Sequence, residues 1–227
     1  MKDQFERHIL PILIKKKPKK ILELGVLEGG ATIQILKYCN ENNANLVSVD
    51  PIEWTGEIPQ ELKTSFKGFA SNVLGRSIHP KFIEEVYRLK LEKNWKCIKK
   101  TSNEFLNSSE FNGFDLCLWD ADHNYFNLLR DLKNLHKKSQ AGNQILIQGL
   151  SKWNRKDQYS DPESIPLEFY KGKNQGLIKA IKKFIKLTNH RRYFRTLPFF
   201  YLTKKNWKYK KITSNNHGLG ILEKLND

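Results

Sequence analysis

The sequence predicts an α/β fold, a mostly parallel sheet with helices on both faces, from three observations. Short apolar runs recur along the chain and read as buried strands. Between them lie stretches whose apolar residues repeat every three or four positions, the period of an amphipathic helix. The first apolar run ends in a glycine cluster and two later ones end in Asp50 and Asp120, the end at which open α/β sheets carry ligands. With 227 residues, 39% of them hydrophobic, the chain is long enough for one large domain with a sizeable core.

Taken in order, Phe5, Ile9, Ile12 and Leu13 have helical spacing, and Pro11 is expected to end or kink that helix. Residues 1–19 are therefore read as a helical extension with a basic linker. Ile21 to Gly25 is the first strand, and the helix after it runs from about Gly30 to Asn40. Asn45 to Asp50 is the second strand. Residues 52–94 exceed an ordinary crossover and read as a helical insertion. Leu62, Phe66, Phe69 and Val73 share one helix face, and Pro80 opens a second helix carrying Phe82, Ile83, Val86 and Leu89. Cys97 to Thr101 and Phe114 to Trp119 are the third and fourth strands. The following helix places Tyr125, Leu128, Leu129, Leu132 and Leu135 on one face, and Gln144 to Gln148 is the fifth strand. A loop with Trp153, Tyr159, Pro162 and Pro166 leads to an amphipathic helix with Leu177, Ile178, Ile181, Phe184 and Ile185 on its apolar face and Lys179, Lys182, Lys183 and Lys186 facing away. Tyr193–Leu197 and Phe199–Thr203 are expected to be the last two strands. The domain then spans residues 20–205, and 206–227 form a basic and polar tail.

Composition narrows the classes. No run approaches the ~18–20 apolar residues of a membrane span. The N-terminal basic run follows the apolar segment and no small-residue cleavage site appears, unlike a secretory signal, so a cytoplasmic location is expected. Cys39, Cys97 and Cys117 are scattered and odd in number, which suits reduced thiols. The net charge is +16, and the 18 Lys and Arg against 6 Asp and Glu in residues 151–227 supply +12 of it. Such asymmetry suits an anionic partner or a solvated face.

Three constellations carry chemistry. The segment Ile21-Leu22-Glu23-Leu24-Gly25-Val26-Leu27-Glu28-Gly29-Gly30 runs from strand to helix N-terminus, where backbone approaches a ligand closely. Its spacing is not the GxGxxG of a dinucleotide site, and Glu23 would repel a phosphate, so a cationic amino or sulfonium group suits it better. Asp50, 25 positions past Gly25, is placed to accept ribose hydroxyls. Asp120, Asp122 and His123 leave the fourth strand together and could bind a metal, position a cofactor or move a proton, while Asp122 could simply cap the next helix.

Together, LELGVLEGGAT, VSVDP and FDLCLWDADHNYFNLLRDL resemble the class I S-adenosylmethionine-dependent methyltransferases. Within them the chain is most similar to the bacterial O-methyltransferase-like group with an "IDGDHSY"-type segment after the fourth strand. The resemblance covers roughly residues 20–205. It implies a Rossmann-like methyltransferase sandwich, a seven-stranded sheet whose last strand runs antiparallel between the fifth and sixth. It further implies that Glu23, Gly25 and Gly29 line the methionine and ribose part of S-adenosylmethionine and that Asp50 holds the ribose hydroxyls. Ser102 and Asn103 would lie beside the adenine and Asp120 at the reacting centre, with His123 as proton acceptor. Relatives usually follow the fifth strand with a His-Asp pair that completes a metal site. Here Gln148-Gly149-Leu150 stands instead, so no catalytic metal is expected. The implied activity is methyl transfer to an oxygen or nitrogen of a small, sugar-like or anionic metabolite. Two alternatives remain: a nucleic-acid methyltransferase using the basic last third, disfavoured because lysines 179–186 read as the solvated back of a helix, and a cofactor-binding protein that has lost catalysis.

Overall fold

The computed structural model describes residues 4–26, 29–51, 80–121, 123, 125–151, 176–193, 201–204, 206–215 and 217–226. The predicted helix over 62–73 and the loop around Trp153–Pro166 lie outside them. Seven strands form one sheet in the order β3-β2-β1-β4-β5-β9-β8: β1 (Lys20–Leu24), β2 (Asn45–Asp50), β3 (Trp95–Lys99), β4 (Leu116–Trp119), β5 (Gln144–Gln148), β8 (Trp207–Thr213) and β9 (Leu219–Lys224). β6 (His190–Tyr193) and β7 (Tyr201–Lys204) pair as a separate antiparallel ribbon. The chain forms two compact units, Met1–Phe111 with Cys117–Ala121, and Asn112–Leu116 with Asp122–Asp227.

In the first unit, β1 pairs with β2 and β2 with β3, both in parallel. Parallel strands are covered on both faces and read as near-continuous apolar runs, as Ile21, Leu22, Leu24, Leu46 and Val49 do here. The helices are α1 (Leu10–Lys16), α2 (Gly30–Asn42), α3 (Pro80–Arg88) and α4 (Ser102–Asn107). Pro11 does not end the first helix. A single π turn, Phe5–Ile9, precedes α1 and places Pro11 in the α-helix's first turn, where a missing N–H costs nothing. Phe5, Ile9 and Leu13 stay on one buried stripe. β3 begins and ends two residues earlier than predicted, and its end is set by Thr101, which caps α4. That helix is marked by a capping box: the Thr101 hydroxyl accepts from the Glu104 backbone N–H, and the Glu104 carboxylate accepts from the Thr101 N–H.

In the second unit, α5 (Tyr125–Lys137) and α6 (Leu177–Thr188) pack on each other, burying Leu128, Leu132 and Leu135 from one and Leu177, Ile181 and Phe184 from the other. β9 lies antiparallel between β5 and β8. The antiparallel strand is thus where the resemblance places it, but it is built from other residues. Of the predicted strands Tyr193–Leu197 and Phe199–Thr203, the described residues Tyr193 and Tyr201–Thr203 belong to the separate ribbon, and residues 194–197, 199 and 200 lie outside the described ones. The strands that close the sheet come from residues 207–224, which are not a tail. Trp207, Leu219 and Leu222 are buried. The charges obscured them: in Trp-Lys-Tyr-Lys-Lys-Ile-Thr only the alternation of β8 betrays a strand, and its lysines suit an outermost position.

Each fully buried large apolar side chain contributes roughly 1.5–3 kcal/mol, so β8 and β9 carry a large share of a domain's ~5–15 kcal/mol. Deleting residues 206–227 is therefore expected to abolish cooperative thermal unfolding followed by circular dichroism. An unchanged melt would return this segment to the status of a tail.

Candidate functional site

The sheet order reverses between β1 and β4, and strand ends at such a reversal open a crevice. Both ends belong to the first unit. β1 hands over to Gly25, whose φ of 87° is left-handed and whose N–H donates to the Val49 carbonyl at 2.9 Å. The Asp120 N–H donates to the Leu24 carbonyl at 2.9 Å. A side chain on Gly25 would overlap the Asp120 carbonyl and the Ala121 Cα, so backbone closes directly on backbone here and only glycine fits.

The turn is then held from β2. The buried Asp50 carboxylate accepts the Val26 N–H at 2.8 Å, across 24 residues of sequence. Gly29, at φ 69°, caps the N-terminus of α2, and the Phe82 ring of α3 fills the space where its side chain would be. Gly30 differs. Among the described residues no atom lies within 4 Å of where its Cβ would stand, and the residue is exposed. Among the described residues, the first turn of α2 is thus open at Gly30.

Glu23 has a different place from the one expected of it. It is 1% exposed, and its carboxyl accepts hydrogen bonds from the hydroxyls of Thr32 (3.0 and 2.9 Å) and Ser48 (2.7 Å). Ser48 is its direct partner in the β1–β2 register, and the indole N–H of Trp95 donates to the Ser48 hydroxyl at 3.0 Å. Burial pushes the Glu23 pKa up to about 8; the two hydroxyls oppose this, and Asp120 and Asp50 add to it. Near neutral pH Glu23 is therefore largely uncharged. The negative field at the strand ends belongs to Asp50 and Asp120, and Glu23 supports the turn from beneath.

Ser102 and Asn103 are the first two residues of α4, both half-buried, and the Asn103 side chain accepts from Asn107 at 3.0 Å. Asp120 is half-buried at the end of β4. His123 is half-buried in the second unit, between β4 and α5, and Asp122 lies outside the described residues. Gln148 closes β5 with 4% exposure, and its side-chain oxygen accepts no hydrogen bond from a described residue. Among the described residues no three His, Cys, Asp or Glu side chains gather as a metal site. Sequence reasoning missed Ser48, Thr32, Trp95 and Phe82. An acid on an apolar strand needs buried donors, and that requirement pointed to the nearest hydroxyls.

Comparison with known proteins follows from this geometry. A family profile described as a methyltransferase domain matches residues 22–148, which contain the turn, Asp50 and Asp120. The chain belongs to this methyltransferase-domain family. Solved methyltransferase structures share its Rossmann-like fold. A cofactor-bound protein from MTB is 11% identical, with 100% of this chain and 82% of that one covered and a TM-score of 0.59. An SAH-bound methyltransferase from Podospora anserina is 14% identical, with coverages of 95% and 76% and a TM-score of 0.55. An O-methyltransferase from Bacillus cereus in complex with SAH is 16% identical, with coverages of 95% and 77% and a TM-score of 0.52. No curated protein matches the sequence significantly.

The buried acid of this methyltransferase generates a prediction. A carboxyl whose folded pKa lies above its unfolded 4.5 stabilises the fold least at high pH. Stability should fall as pH rises from about 4.5 to about 8, by on the order of a few kcal/mol. Glu23→Gln should fold and flatten this dependence in urea titrations at several pH values. A mutant with the same slope as the parent would show that Glu23 is not the group responsible.

Proposed function

We propose that the methyltransferase moves a methyl group from S-adenosylmethionine to an oxygen, or a nitrogen, of a small hydroxylated or anionic metabolite. The observation that carries this reading is the Gly25 turn, locked to Asp120 and Asp50 and open at Gly30. Two carboxylates beside an accessible helix N-terminus suit a ligand that is cationic at one end and carries paired hydroxyls at the other. S-adenosylmethionine has that character, and when bound it supplies a methyl group activated by a sulfonium.

The residues divide the work. Gly25 and Gly29 let the methionine and ribose part approach the backbone, and Glu23 acts on it only through the turn it supports. Asp50 accepts the ribose hydroxyls while fixing Val26. Ser102 and Asn103 border the adenine. Asp120 stands at the cationic end. His123, three residues further on, takes the proton when the acceptor is a hydroxyl. Methyl transfer itself asks of the protein mainly alignment and exclusion of water, for which the backbone-locked turn is suited. Support for an oxygen target comes from the resemblance and from the O-methyltransferase among the similar structures. At the carboxyl end of β5, Gln148 and Gly149 offer an amide and no carboxylate, so the reading is one of metal-independent transfer.

Asp50→Asn keeps an oxygen for Val26 and removes the charge. It is expected to weaken S-adenosylhomocysteine binding by about tenfold or more in calorimetric titrations, since hydrogen bonds to charged groups are worth roughly 1.5–3 kcal/mol. Equal affinity in the folded mutant would remove Asp50 from the site.

Two further outcomes are expected. Gly30→Ala has room in the protein alone, so weakened binding with an unchanged melting temperature would place the ligand over that residue. Release of S-adenosylhomocysteine during turnover of a panel of hydroxylated metabolites should be the same with EDTA as with added magnesium. Magnesium-dependent turnover would overturn the metal-independent reading.

A further inference from the structure

The second unit carries a basic rim made of residues that take no part in the proposed methyl transfer. Lys179, Lys182, Lys183 and Lys186 are all exposed on the outer side of α6, opposite Leu177, Ile181 and Phe184. Lys208, Lys210 and Lys211 are exposed on β8, the outermost described strand of the sheet. None of these seven forms an ion pair or a side-chain hydrogen bond with a described residue. Glu223, the register partner of Lys208, is the one acid directly opposite these lysines in the β8–β9 pairing, and its carboxylate accepts from the Gln144 amide at 3.5 Å.

The lysines do not lie on one plane. The Trp207 ring packs 5.5 Å from Phe184, so this residue of β8 points towards α6. Side chains alternate along a strand, and Lys208 and Lys210 therefore point to the opposite face of the sheet. Positive charge reaches outward from α6 on one side and from β8 on the other. A flat bilayer reaches only one side of such an edge. A flexible chain of phosphates can follow it round.

The β8 lysines also have a defined register on the sheet. β5 and β8 are both antiparallel to β9 and so run the same way. Through that register Lys208 lies level with Gln144, Lys210 with Leu146 and Lys211 with Ile147.

We propose that the α6–β8 rim is a docking surface for single-stranded nucleic acid, held by its phosphates without sequence preference. This gives a ligand to the helix back that the sequence alone reads as solvated, and it is independent of the methyl acceptor.

Fluorescence anisotropy of a labelled 20-nucleotide oligouridine with the full-length protein, between 50 and 200 mM salt, tests it. Four to five neutralised phosphates give a log–log salt slope of about −3, at about −0.7 per contact. K182Q/K183Q/K186Q should reduce the slope by about 2 and K208Q/K210Q by about 1.4, by the same count. Each should weaken binding severalfold at the lower salt. A charge-matched control in the first unit, K15Q/K37Q/K93Q, should move both quantities much less. Equal loss in the control would mean that net charge alone attracts RNA, and an inert K208Q/K210Q would mean that the rim is not wrapped. Either result overturns the proposal, as does tighter binding to phosphatidylserine vesicles that displaces the RNA.

Discussion

Burying the carboxyl of Glu23 imposes conditions that run through the whole first unit. The group sits where β1, β2 and α2 meet, out of reach of water, and an ionised carboxylate there would be expensive. The fold meets this in two ways at once. Thr32 brings a hydroxyl from the first turn of α2, which fixes how that helix starts over the sheet, and Ser48 brings one from the neighbouring strand. Trp95 then donates to Ser48, which extends the chain of hydrogen bonds from β1 to β3. What remains of the cost is avoided by keeping the proton. A polar chain of this kind admits one register only, because a slip of one residue would turn Ser48 away from Glu23.

The glycine turn inherits its shape from that arrangement. With β1 and the start of α2 fixed, the backbone at Gly25 passes so near the Asp120 carbonyl that no side chain fits between them. Asp50 closes the other flank through Val26. The three acids of the neighbourhood thus have different tasks. Glu23 is held neutral inside, Asp50 is both strut and carboxylate, and Asp120 stands at the strand end with its backbone bonded to β1. Proximity couples them, since the charges of Asp120 and Asp50 help to hold the proton on Glu23. A cation arriving beside Asp50 and Asp120 would weaken that influence, so ligand charge and the protonation of a buried group are linked.

Much of this was legible before any coordinates. β2 and β5 have the predicted limits, because apolar runs bounded by a polar residue and a turn leave little freedom. The glycine turn, Asp50 and Asp120 were readable as a group because they recur at strand ends. Two kinds of information were not readable. Partner choice inside the core, such as Glu23 with Thr32, depends on how α2 crosses the sheet, and no local spacing encodes that. The closing strands are harder to read, because hydrophobicity favours Phe199–Thr203 over the lysine-studded Trp207–Thr213, although it is the latter that pairs with β9 in the main sheet. Pro11 was misjudged for a related reason: its effect depends on the turn before it, and a π turn removes the conflict.

The insertion of β9 between β5 and β8 also sets an order of assembly. β5 is complete at Gln148, yet its neighbour begins only at Leu219, and β8, made earlier, has no place in the sheet until β9 is there. β8 and β9 are joined by a short turn and pair with each other, so they can form locally as a hairpin within microseconds. Docking that hairpin against β5 is a long-range step that closes a loop of some seventy residues, and such steps are slow. Until it happens, the apolar edge of β5 is exposed. The lysines of β8 give that hairpin a charged outer edge, the kind that discourages edge-to-edge pairing with other chains before it docks.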